Sequence, residues 1–116
     1  KMSLTLGTTK PLFPFGRFVT TPGAENLIER EGEEKGLEFG DLGYYVHRRM
    51  SELLQRHVSG DDGDLCHEDK DSNVEALEYG NRIFSSYNLD TISASKVWLI
   101  TEWDRSVTTL LLPEEY

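Results

Sequence analysis

The stretch Lys96-Val97-Trp98-Leu99-Ile100-Thr101-Glu102-Trp103 decides the fold. Read with a period of two, it places Val97, Leu99, Thr101 and Trp103 on one side and Lys96, Trp98, Ile100 and Glu102 on the other. Its β-branched and aromatic residues suit a pleated, half-buried surface. The same alternation runs through residues 82–87 and 107–112, so three strands are expected. The linkers at 88–95 and 104–106 are short, which makes consecutive strands pair antiparallel as a meander.

Upstream of this block the period becomes helical. Leu42, Tyr45, Val46, Met50, Leu53 and Leu54 recur at i, i+3 and i+4 through His57, with Asp41 as the expected cap, and Ser59-Gly60 ends the helix. Thr20-Thr21-Pro22-Gly23-Ala24 is a helix start, because a threonine caps free amides, proline in the first turn loses no bond, and Glu25 meets the positive end of the dipole. That helix is predicted over 22–31, with Gly32 as its left-handed C-terminal residue. Residues 33–43, with three glycines, read as a connection, and residues 15–20 as a short strand. Asp64 is expected to cap a short turn. Ser72-Asn73-Val74-Glu75 fits a capping box that opens a helix over 73–79, closed by Gly80.

The fold class that follows is α+β: N-terminal helices packed on a C-terminal three-stranded antiparallel meander, with one added N-terminal strand. Residues 1–14 form an extended lead-in and 15–116 a single domain. Both sides of the central strand carry large apolar groups. With helices on one side, the other needs cover from the segment bearing Phe13, Phe15 and Phe18 or from a second copy in a homodimer.

Leu, Ile, Val and Phe supply 30 of 116 residues, enough for the chain to fold rather than stay disordered. The net charge of -9 is concentrated: residues 25–41 carry -5 and residues 61–75 carry -6. Such a surface repels phosphate, which disfavours direct nucleic-acid binding and points to another protein as partner, a basic nucleic-acid enzyme among the candidates. A lone cysteine, Cys66, and the lack of a secretory signal give a cytoplasmic expectation. No apolar run approaches the ~20 residues of a membrane span, so no membrane is expected.

The run 60–73 holds most of the side chains able to do chemistry. As a calcium loop it fails, because Val74 stands where glycine is needed and Gly80 where a bidentate glutamate is needed. His57, Cys66, His67 and Glu68 are the alternative set, for a metal or for a Cys/His-based enzyme, but no paired ligand spacing is present. The acids before Glu68-Asp69-Lys70 resemble a nuclease trio only in composition, and no phosphate-cradling loop occurs. No cofactor is therefore expected. The binding candidates are Asp61 and Asp64 on the acidic segment and the hairpin tip Trp103, Asp104 and Arg105, since tryptophan and arginine are enriched at hot spots.

Gly63-Asp64-Leu65-Cys66-His67-Glu68-Asp69, Asn73, Ala76-Leu77, Gly80, Arg82-Ile83, Ser85-Ser86-Tyr87, Trp98, Ile100-Thr101-Glu102, Asp104-Arg105-Ser106 and the ending Thr108 to Tyr116 resemble a family of small bacterial proteins. Those proteins are often carried on plasmids and integrated elements, and some bear the label "plasmid-related protein". Gly16-Arg17-Phe18-Val19-Thr20-Thr21-Pro22-Gly23-Ala24 is similar to the family's start. The chain departs from it at residues 32–47, which are longer, and at Asp62, where an aromatic is expected. The resemblance implies a fold-sized unit in a mobile-element setting, with no established activity. The reading is a non-enzymatic acidic accessory protein that binds another protein.

Overall fold

The computed structural model describes residues 11–116. Its elements run β1 (Arg17–Thr20), α1 (Pro22–Glu34), α2 (Phe39–Val58), α3 (His67–Tyr79), β2 (Ile83–Asn88), β3 (Lys96–Thr101), β4 (Val107–Leu111) and a closing 3-10 turn, Pro113–Glu115. The fold is α+β. β2, β3 and β4 form the expected antiparallel meander, and β1 joins it parallel to β4, giving the order β1-β4-β3-β2. Of the lead-in, residues 1–10 lie outside the described residues, while Phe13 is buried.

Register fixes which side chains face the helices. Ser85 sits opposite Leu99, Tyr87 opposite Val97, and Leu99 opposite Leu110, and all five side chains are fully buried. With Ala24 and Ile28 of α1 and Tyr45 and Leu53 of α2, the four apolar ones, Tyr87, Val97, Leu99 and Leu110, form the main core. A smaller cluster of Phe13, Val58, Ala76 and Ile83 ties α3 to the end of α2. The opposite face of the sheet carries Phe84, Trp98 and Ile100.

The glycines, read locally, misplace the helix ends. Gly32 does not terminate α1, which continues to Glu34; a Cβ at Gly32 would meet Leu42 and Tyr45, so this glycine lets α2 close onto α1. The left-handed residue is Gly36. Most of the expected connection 33–43 is helical, since α2 begins at Phe39 and includes Gly40 and Gly43. Asp41 falls in its first turn and Glu38 takes the cap position. Thr21 does cap α1, its hydroxyl accepting from the Ala24 amide at 3.1 Å.

Two further expectations fail. Asp64 opens no helix and lies along the outer edge of β2, and Ser72 to Glu75 start none, being interior to α3. Asn73 is instead turned inward and serves the sheet. Its amide donates to the Phe84 carbonyl at 2.5 Å and its carbonyl oxygen accepts from the Phe84 amide at 3.0 Å, as a neighbouring strand would. Ser86 is satisfied by the backbone of Asp62 and Asp64, and the Asn88 amide by the Asp64 carboxylate. The approach needs Gly63, at φ +73°, because any Cβ there would collide with the Ser86 carbonyl. The β2 edge is thus closed against intermolecular pairing.

Phe13 and Phe18 do not cover the second sheet face, for both pack on the helix side. Phe13 stands edge-on to His57, and Phe18 joins the main core. Trp103 is off the sheet altogether, since β3 ends at Thr101. No helix among the described residues is long and apolar enough to cross a membrane.

Candidate functional site

The residues singled out from the sequence do not converge. His57 is 1% exposed, and its ring bonds two hydroxyls, Nδ1 to Ser85 Oγ at 2.5 Å and Nε2 to Thr101 Oγ1 at 2.8 Å. The proton positions follow from the far end of the chain of contacts. Thr108 donates to the Phe15 carbonyl, which can only accept, so Thr108 must itself accept from Thr101 and Thr101 from His57. His57 is therefore the neutral Nε2–H tautomer, and Ser85 donates to Nδ1. Burial, helped by the charge of Arg105, pushes its pKa down to about 3. A base that weak does not activate a serine at neutral pH, and Ser85 itself is fully buried. The His57–Ser85 contact is a core bond.

Cys66 is exposed, with its thiol 3.3 Å from the Asp69 carboxylate, and His67 is solvated opposite Asp71. Neither meets His57. Glu68 is exposed in the first turn of α3, where its charge suits the helix dipole. Among the described residues no three His, Cys, Asp or Glu side chains are grouped to hold a metal ion.

The binding candidates are mostly engaged internally. Asp61 pairs with Arg56 at 2.7 Å, which holds its carboxyl below the usual range, and its backbone carbonyl accepts from the Tyr87 hydroxyl. Asp64 accepts from the Asn88 amide. At the hairpin tip Asp104 accepts from the hydroxyl and amide of Ser106, and Arg105, at φ +60°, donates to the carbonyls of Asn81, Glu102 and Ala76 while lying over the Phe13 ring. Of the five, Trp103 alone makes no side-chain hydrogen bond or ion pair among the described residues, and it is 66% exposed.

A second cluster, Glu31 with Tyr45 and Arg49, has the chemistry of a site and the geometry of a clasp. Glu31 is fully buried and accepts from Tyr45 Oη at 2.6 Å, from two nitrogens of Arg49, and from the Asp90 amide at 2.5 Å. Burial raises its pKa, but these bonds and the Arg49 charge outweigh it and leave the carboxyl below its ordinary value. Burial and the bond to Glu31 push Tyr45 up to about 12. Every lone-pair direction facing the protein is filled, so the group joins α1, α2 and the β2–β3 loop and leaves nothing for a substrate.

What stays open is the second sheet face. Phe84 and Trp98 meet edge to face with centroids 4.8 Å apart, and Tyr116 stands 5.8 Å from Trp98. Arg82 lies over the Tyr116 ring and donates to its hydroxyl, fixing Tyr116 as one wall. Asp69 and Ser72 of α3 form the other, and Ile100 is part of the floor. The groove encloses about 310 Å³ and is mainly apolar. Over its whole surface α3 exposes Glu68, Asp69, Asp71, Glu75 and Glu78 against Lys70, and of these Asp69 lines the groove, which Arg82 also lines. The sequence does signal this face, through the apolar residues on both sides of β3, but not the contribution of Tyr116, which depends on an Arg82 contact 34 residues away.

Comparisons with protein-family models, with curated proteins and with solved structures give no match for this chain.

Proposed function

We propose that the protein is a non-enzymatic, cytoplasmic accessory protein of a mobile element that binds another protein, and that the aromatic groove beside α3 receives a basic, partly apolar segment of that partner. The observation that carries this reading is the juxtaposition of Phe84, Trp98 and Tyr116 with a helix bearing five exposed acids and one base. Aromatic faces accept cationic and aliphatic side chains alike, and the excess of acids on α3 favours the cation. The groove holds one or two side chains, and the helix supplies the approach field.

The test uses synthetic peptides of alternating lysine and leucine, read by tryptophan fluorescence and calorimetry, with a glutamate–leucine peptide as control. The basic peptide is expected to bind with an affinity that falls as salt rises, Trp98→Ala and Asp69→Lys to weaken it about tenfold or more, and Trp103→Ala to leave it unchanged. Equal binding of the acidic peptide, or full affinity in Trp98→Ala, would overturn the reading. So would a dimer in sedimentation that Trp98→Ala dissociates, because the groove's occupant would then be a second copy.

A further inference from the structure

We infer that the cleft between α1 and the adjoining ends of β3 and β4 binds a small organic anion, with Arg30 and Lys96 holding its carboxylate or phosphate and Leu27, Leu112 and Pro113 receiving its apolar part. Ten arginines and lysines lie within the described residues. Seven of them are used internally: Lys35 on Asp90, Arg48 on Glu52, Arg49 on Glu31 and Glu52, Arg56 on Asp61, Lys70 on Asp62, Arg82 on the Tyr116 hydroxyl and Arg105 on three carbonyls. Arg17, Arg30 and Lys96 have no ion-pair or hydrogen-bond partner among the described residues. Two of these three line one cleft, of about 520 Å³.

In a chain of net charge -9, both cations stand here without an ion-pair partner among the described residues. The wall carries one acid, Glu114, against the two bases, and adds the side-chain amide of Asn26 as a further polar group. A guanidinium and an ammonium from different elements, set beside an apolar wall, match a ligand with one anionic and one apolar end. The cleft shares no lining residue with the aromatic groove, so this inference stands independently of the docking reading.

Amide NMR titration at constant ionic strength tests it, with benzoate and phenyl phosphate as probes and benzyl alcohol and benzylammonium as controls. Saturable shifts are expected from the two anions at Leu27, Lys96 and Leu112, and none from the controls. The double variant Arg30→Gln, Lys96→Gln is expected to keep the wild-type melting temperature, because both side chains are exposed, and to lose about tenfold or more in affinity. The inference is overturned if neither anion saturates, if benzylammonium shifts the same amides, or if the double variant binds as the parent does.

Discussion

Lowering the pH from about 7 to about 4.5 should remove about 2.5 kcal/mol of folding stability through His57 alone. The ring is neutral in the native core with a pKa of about 3, whereas in the unfolded chain it titrates near the ordinary 6.5. The stability attributed to the depressed value is complete above about pH 6.5. Below that the unfolded state takes up a proton that the folded state refuses, and each further pH unit costs about 1.4 kcal/mol until the native ring itself titrates. The hydroxyl chain supplies the structural reason. A second proton on Nδ1 would face the Ser85 hydroxyl, whose own hydrogen already points at that nitrogen, in a site with no water-facing surface. Carboxylates such as Glu31 also lose stability on acidification, so the His57 share is read as a difference. Urea unfolding of wild type and His57→Gln across this range should show a slope shallower in the variant by about 1 kcal/mol per pH unit. Independently, the His57 Cε1–H resonance of the wild type should stay constant down to about pH 5. Parallel slopes in the two proteins, or a wild-type resonance titrating near the ordinary histidine value, would refute the buried neutral assignment.

Glu31→Gln should destabilise the protein by about 2–4 kcal/mol in urea unfolding at neutral pH, because Arg49, largely buried, loses its main counter-charge; a loss below about 1 kcal/mol would show that Glu52 suffices. Asn73→Ala should cost about 1–3 kcal/mol and selectively speed hydrogen exchange at the Phe84 amide, the group that Asn73 holds. Unchanged protection at Phe84 would mean that the β2 edge does not depend on this side chain.

The strands were legible because their determinant is local: a period of two, bounded by short polar linkers, survives without knowledge of the rest of the chain. The helix boundaries were not, wherever a residue's local preference and its tertiary use diverged. Gly32 has the propensity of a terminator and the function of a spacer under Tyr45. Ser72 to Glu75 match a capping box, yet Asn73 is worth more to the fold facing Phe84 than opening a helix. The site was legible only in outline. Apolar groups on both faces of β3 announce an uncovered surface, but the partners that shape it, Tyr116 and α3, are brought there by contacts across 11 to 34 residues that leave no spacing signature. His57 is the same case reversed. A histidine near a cysteine and acids suggests chemistry, while the hydroxyls that occupy its two ring nitrogens lie 28 and 44 residues away.

Asn73 links the structural and the functional readings. α3 buries only Asn73 and Ala76, so it is seated less by apolar packing than by polar groups: the Asn73 amide on Phe84 and the Arg105 guanidinium on the Ala76 carbonyl. Its acids are therefore free to remain solvated and outward, which a conventionally amphipathic helix of this length could not allow on so much of its surface. The side chain that bonds Phe84 on the β2 edge also sets Asp69 beside Phe84 and Trp98. The Asn73 contact thus does two things in this fold: it helps to close the β2 edge, together with the backbone of Asp62 and Asp64, and it seats α3 beside the aromatic groove.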